Sequence, residues 1–144
     1  MQLTTSSPIQ ITPSDHARLT LLIEDLRPAR GPLPRHLQFL EEELNRARLT
    51  DPADLPADVI TLHSRARIVE SDSGDVLEYT LAFPDDADIS AGKISILSPL
   101  GTAMLGYRAG DTFAWPTPDG ATCLARVEEV LFQPEENLRR QPTE

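Results

Sequence analysis

The sequence has one cysteine and no long run of apolar residues, and each shortage excludes a class of protein. Cys123 has no second cysteine to pair with, so a small secreted domain held by intrachain disulfides is excluded. No stretch approaches the roughly 20 apolar residues that a membrane-spanning helix requires. Residues 1–5 lack the basic flank and apolar core of a secretory signal. We therefore expect a cytoplasmic protein with no membrane partner.

Basic residues are also scarce. The chain has 13 Lys and Arg against 23 Asp and Glu, a formal net charge of -10. Residues 1–50 carry six of each sign, so the excess lies in residues 51–144, with 17 acidic and 7 basic residues. Because affinity for nucleic acid depends on counterion release by a basic face, we expect no direct specific binding to nucleic acid. Any link to nucleic acid is expected to run through a protein partner.

Two amphipathic helical patterns occupy the first 50 residues. Thr12 and Pro13 are typical of a helix start. Apolar residues then recur at helical spacing in two stripes, which consist of Leu19, Leu22, Ile23 and Leu26, and of Leu37, Leu40, Leu44 and Ala47. Residues 28–34 separate the stripes and contain three prolines and a glycine, which interrupt a helix. The pattern predicts an antiparallel helical hairpin over residues 1–50, with an edge strand near Ile9 and Ile11.

The remaining sequence changes to the period of a sheet. Residues 51–58 are polar and carry two prolines, so we interpret them as a linker before a second domain at residues 59–144. Alternation begins at Val59, and the strand Leu77–Phe83 presents one dry face. In the last strand the alternation slips by one residue, which predicts a β-bulge near Glu128 and Glu129. A charged, frayed tail is expected from Pro134. The fold class is α+β: a helical hairpin, then a mostly antiparallel sheet with one short helix.

Residue types that carry catalysis or bind metals are sparse. His16, His36 and His63 stand far apart in the sequence, without ligand spacing, and Cys123 begins an apolar strand. There is no glycine-rich phosphate loop. We therefore expect no catalytic residue, no metal and no cofactor, and a protein that is not an enzyme.

The most informative segment runs from Ser95 to Asp111. Ser98 can cap a helix whose first position is Pro99, and the small residue Gly101 lets that helix lie close to the sheet. The spacing Ser-x-x-Ser-Pro-aliphatic-small, followed by small-aliphatic-aliphatic and later by Gly-Asp, resembles the C-terminal signature of the GreA/GreB family of transcription elongation factors. The resemblance extends over residues 36–134. Within the family the chain is most similar to the short branch, the regulators of nucleoside diphosphate kinase.

The resemblance implies an FKBP-like C-terminal domain that docks on RNA polymerase at the rim of the secondary channel, with a short coiled-coil hairpin directed toward the channel. The family's Ser-Pro loop contacts the polymerase, which carries over to Ser98 and Pro99 and to their neighbours Leu97 and Leu100. Family members commonly have Asn or Asp at the position of Leu97, so this contact differs here.

The hairpin tip departs from the pattern of the cleavage factors, which bring carboxylates at the tip to a Mg²⁺ ion in the polymerase. Each helix here has about 14 residues, or roughly 20 Å. The tip contains Arg27, Arg30 and Arg35, and the nearest acids are Glu24 and Asp25, about one turn back. We therefore expect a regulator that occupies the site of the cleavage factors without cleaving RNA. The alternatives are an active cleavage factor that uses the two acids and, from the FKBP-like fold alone, a peptidyl-prolyl isomerase.

Overall fold

A computed structural model describes residues 8–117 and 119–135 of the chain. Within these ranges the helices are α1 (Pro13–Leu26), α2 (Arg35–Arg46) and α3 (Pro99–Met104). The strands are β1 (Gln10–Ile11), β2 (Arg48–Leu49), β3 (Arg65–Glu70), β4 (Val76–Ala82), β5 (Lys93–Ser95), β6 (Thr112–Pro116) and β7 (Thr122–Phe132). This is the mixed α+β composition that the sequence predicts.

Helix α1 begins where the sequence predicts. The Thr12 hydroxyl oxygen accepts a hydrogen bond from the Asp15 backbone N–H at 3.2 Å, and Pro13 takes the first helical position. Leu19 and Ile23 of the apolar stripe are buried. Leu26, predicted to belong to the same stripe, is instead 40% exposed. The reason is its position, because it is the last residue of α1 and residues 24–32 form the exposed end of the hairpin.

Helices α1 and α2 run antiparallel, as predicted. The stripe of α2 is buried through Leu37, Leu40 and Leu44. His16, near the start of α1, donates a hydrogen bond from Nε2 to the Leu44 carbonyl, near the end of α2, at 2.9 Å. The predicted edge strand near Ile9 and Ile11 is confirmed as β1, which pairs in parallel with β2. This pairing joins the segment before α1 to the segment after α2 at the base of the hairpin.

The larger sheet has five strands in the order β5-β4-β3-β7-β6. Only the pairing of β4 with β5 is parallel among these described strands, so the sheet is mostly antiparallel, as predicted. The predicted β-bulge is confirmed, since Arg67 lies opposite Glu129 and Ile68 lies opposite Val127, leaving Glu128 as the extra residue. A second shift of register places Leu131 between the partners of Arg65 and Ala66.

Two details of the sheet region differ from the sequence expectation. The strand expected from Val59 begins only at Arg65, because the Ser64 hydroxyl accepts a hydrogen bond from the Thr61 N–H at 2.8 Å and closes a turn. The expected frayed tail is wrong for Pro134 and Glu135, which form a helical turn. The Glu135 carboxylate is buried and accepts a hydrogen bond from the Thr61 hydroxyl at 2.8 Å. The rest of that tail, after residue 135, lies outside the described residues.

One cluster of buried side chains connects the hairpin to the sheet. It includes Leu19, Leu37 and Leu40 from the hairpin, together with Ile68 and Phe113 from the sheet. The hairpin therefore packs along the sheet domain through its apolar face. None of the described helices is long and apolar enough to cross a membrane.

Candidate functional site

The segment from Ser95 to Thr102, which we call the Ser-Pro segment, is held in its conformation by hydrogen bonds from its own side chains. The Ser98 hydroxyl donates to the Ser95 carbonyl at 2.7 Å and accepts from the Gly101 N–H at 3.0 Å. Ser98 is thus the N-cap of α3, as its position before Pro99 predicts. The Thr102 hydroxyl donates to the Ile96 carbonyl at 2.7 Å. These bonds fix the path of the chain between β5 and α3.

Gly101 permits this arrangement because no side chain would fit there. A Cβ atom at this position would lie 2.0 Å from the Ser95 carbonyl oxygen and 2.9 Å from the Ser95 carbonyl carbon, both backbone atoms. Helix α3 can therefore approach the end of β5 only with glycine at its third position. The Ser-Pro segment owes its shape to Gly101 as well as to Ser98.

An open groove of about 420 Å³ lies beside the start of α3. We call it the docking groove; it is lined by Tyr79, Ala87, Asp88, Ile89, Lys93, Ile94, Ser95, Ser98, Pro99, Leu100, Trp115 and Pro116. Three of the four residues predicted from the Ser-Pro loop are brought together here, namely Ser98, Pro99 and Leu100. The side chains are mostly apolar, and Ile89 is 69% exposed. Such a surface is suited to a protein partner.

Sequence reasoning missed the contribution of other strands to this groove. The alternation places Tyr79 on the dry face of β4, but its side chain is only half-buried because it lines the groove. Trp115 belongs to β6, at the opposite edge of the sheet from β5. The curl of the sheet brings both aromatic rings to the Ser-Pro segment. The signal available in the sequence was the pair of aromatic residues itself, but their meeting depends on the tertiary structure.

The rim of the docking groove carries both signs of charge. Lys93 and Asp88 both line it. The Ser90 hydroxyl donates a hydrogen bond to the Asp88 carboxylate at 2.6 Å and lowers the pKa of that carboxyl group. Asp88 is therefore a stable anion beside the apolar floor of the groove. It adds to the acidic excess of residues 51–144.

The fourth predicted residue, Leu97, has a different role from its neighbours. It is absent from the groove lining, and its backbone carbonyl accepts a hydrogen bond from His36 Nε2 at 2.8 Å. A carbonyl can only accept, so Nε2 of this imidazole carries the proton. His36 lies in the first turn of α2, and the bond joins residues 61 positions apart in the sequence. The hairpin thus touches the Ser-Pro segment directly.

The predicted tip residues Glu24, Asp25, Arg27, Arg30 and Arg35 are all exposed. The Arg27 guanidinium donates to Glu24 at 3.1 Å and also bonds Glu41 of α2. These hydrogen bonds raise the pKa of Arg27. The carboxylates of Glu24 and Glu41 are therefore both paired with Arg27. Within residues 8–117 and 119–135, no three His, Cys, Asp or Glu side chains form a group that could hold a metal ion.

A second cleft, of about 510 Å³, lies between α2 and the sheet domain. Glu43 of α2 lines it. The Glu43 side chain is only 12% exposed, and this burial raises the pKa of its carboxyl group. Arg46 lies 3.9 Å from its carboxylate.

Two family models match the chain. Residues 55–132 match the model described as the C-terminal part of transcription elongation factor GreA/GreB. Residues 7–49 match the model described as the Rnk N-terminus. The first match contains the sheet and the docking groove, and the second contains the helical hairpin.

Named proteins show the same similarity. The regulator of nucleoside diphosphate kinase of Escherichia coli is 35% identical over 127 residues, covering 88% of this chain and 91% of that protein. Transcription elongation factor GreA of Solidesulfovibrio magneticus is 36% identical over 97 residues, covering 67% of this chain and 59% of that protein. The solved structure of a prokaryotic transcription elongation factor GreA/GreB from Nitrosomonas europaea aligns with a TM-score of 0.72 and 38% identity, covering 88% of this chain and 100% of that one.

Proposed function

Because the chain belongs to the GreA/GreB family of transcription elongation factors, we propose that it binds RNA polymerase at the rim of the secondary channel and competes there with cleavage factors without cleaving RNA. Its relatives identify it as a transcription-associated regulator. What we propose for this chain is its docking position on the polymerase and its lack of cleavage activity. The proposal includes an FKBP-like domain at residues 59–144, a linker at 51–58 and a short coiled coil within residues 1–50.

The docking groove is the observation that carries the proposal. Ser98, Pro99 and Leu100 lie in one apolar groove with two aromatic rings, and Ile89 projects from its edge. A patch with aromatic and aliphatic centre and charged rim is the usual anatomy of a protein interface. The acidic excess of residues 51–144 favours a basic partner surface, because complementary charge speeds encounter and selects the partner.

The geometry of the hairpin supports occupancy without cleavage. Helix α1 has 14 residues and α2 has 12, so they measure about 21 Å and 18 Å. The first turn of α2 already contacts Leu97 of the Ser-Pro segment, so this end of the hairpin lies beside the sheet domain. The tip carboxylate of Glu24 is paired with Arg27, which competes with a metal ion for it.

A pull-down against core RNA polymerase, with GreA as competitor, tests docking. We expect the chain to be retained and to be displaced by excess GreA. Changing Ser98 and Pro99 together should abolish retention, but Ser98 also caps α3, so a second variant is needed. Ile89→Asp places a charge on the exposed edge of the groove and should weaken binding at least tenfold. Val76→Asp, at an equally apolar site 57% exposed and absent from the groove lining, is the matched control.

The same protein added to a stalled elongation complex tests cleavage. We expect no shortened RNA, and we expect excess chain to suppress the shortening that GreA causes. Shortened RNA that disappears in Glu24→Gln or Asp25→Asn would instead identify an active cleavage factor. Equal binding of the wild type and the Ile89→Asp variant would show that the groove is not the docking surface.

A further inference from the structure

The hydrogen bond from His36 to Leu97 connects two parts of the chain that the proposed function uses separately. His36 belongs to the hairpin. Leu97 immediately precedes Ser98, which caps α3 and lines the docking groove. The His36 side chain is half-buried, so the bond is partly shielded from water. A shielded bond competes less with solvent and orders its partners more effectively than an exposed one.

The Leu97 carbonyl stands out because its partner comes from the hairpin. The neighbouring polar groups are satisfied within the segment: the Leu97 N–H donates to the Ser95 hydroxyl at 3.0 Å, and the Ser98 N–H donates to the Ser95 carbonyl at 3.0 Å. The Thr102 N–H donates to the Ser98 carbonyl at 2.8 Å. His36 therefore supplies the contact that relates this self-supporting loop to α2.

We propose that His36 is a positioning residue that fixes the Leu97–Ser98 peptide and so couples the hairpin to the docking groove. Its effect on affinity rests on the proposed function, whereas its effect on loop order does not. With His36 in place, the loop is ordered before the partner arrives and binding loses no entropy in ordering it. Without it, the Leu97 carbonyl turns to water and the N-terminal turn of α3 opens more often.

His36→Ala removes the bond, and His36→Gln preserves an N–H donor at a similar distance from the backbone. His16→Ala is the matched control, because it removes a similar bond, His16 Nε2 to the Leu44 carbonyl at 2.9 Å, that lies within the hairpin. The first measurement is amide hydrogen exchange of Ser98, Gly101 and Thr102 in the free protein. Exchange at these amides should rise about fivefold in His36→Ala, the factor that corresponds to one ordinary hydrogen bond.

His36→Gln should restore slow exchange, and His16→Ala should leave these amides unchanged. The second measurement is the Kd for core RNA polymerase, which should rise about fivefold in His36→Ala and in neither other variant. If the wild type binds no polymerase, the proposed function fails and the exchange data still decide the role of His36. Unchanged exchange in His36→Ala, an equal increase in His16→Ala, or increased exchange without any loss of affinity would each overturn the inference.

Discussion

Replacing Gly101 with alanine reverses the usual effect of that substitution in a helix. Alanine is normally preferred to glycine inside a helix by about 0.5–1 kcal/mol. Gly101 lies within the first turn of α3, so propensity alone predicts stabilisation. The structure predicts the opposite, since the new Cβ atom would lie 2.0 Å from the Ser95 carbonyl oxygen.

The size of the effect follows from what must move. Both nearest atoms belong to the backbone of Ser95, so a rotamer change cannot relieve the overlap and α3 must shift away from β5. Overpacking of this kind costs about 1–3 kcal/mol. The shift also stretches the bonds that Ser98 makes to the Ser95 carbonyl and the Gly101 N–H, and losing a helix cap costs about 1 kcal/mol. After subtraction of the propensity gain, the net loss of unfolding free energy is about 2 kcal/mol, within a range of about 1–3.5 kcal/mol.

Urea denaturation followed by the fluorescence of Trp115 measures this loss. Trp115 is the only tryptophan and is 9% exposed in β6, so its emission reports on unfolding of the sheet. With a slope of about 2 kcal/mol per molar urea, the midpoint should fall by about 1 M. Ala17→Gly, at an exposed position of α1, is the matched control because it measures the propensity difference with no steric change. A Gly101→Ala midpoint at or above that of the wild type would refute the close-contact argument.

Two further predictions concern single side chains. Hydrogen bonds from arginines, led by Arg67, lower the pKa of Glu78 from its ordinary value of 4.5, so the ionised carboxylate stabilises the fold above that pH and the contribution is lost as pH falls through the folded pKa. Glu78→Gln should therefore flatten the decline in thermal stability between about pH 5 and 3, and an unchanged decline relative to the Asp72→Asn control would contradict this. Thr12→Ala should cost about 1 kcal/mol of unfolding free energy in urea titrations through loss of the α1 cap; a loss no larger than in Thr20→Ala, an exposed site on α1, would refute the cap.

Features that depend on near neighbours in the chain could be predicted. Predicting the Ser98 cap requires only the residues next to the start of the helix. Predicting the two apolar stripes requires only their helical spacing. The β-bulge at Glu128 follows from a slip of one residue in an alternation of period two, because an uncorrected slip would turn Val130 away from its face. Leu26, which the stripe wrongly predicts as buried, lies at the end of a helix, where coverage depends on the partner helix.

Contacts between distant segments could not be predicted. The docking groove combines Tyr79, Ile89, Pro99 and Trp115 from four separate segments, and their meeting depends on how far the sheet curls. The link between His36 and Leu97 requires α2 to lie along the sheet domain in one orientation. Burial of Glu135 depends on Thr61, 74 residues earlier in the chain.

The sequence by itself therefore determined the helices, the caps of α1 and α3, the strand that carries a bulge, the acidic character of residues 51–144 and the family to which the Ser-Pro segment belongs. The tertiary structure alone decided which surfaces accompany that segment and that an imidazole from the hairpin holds it. The physical reason is the distance along the sequence over which each kind of interaction acts. Capping and periodicity are satisfied within a few residues, whereas a groove exists only after separate elements have packed against one core.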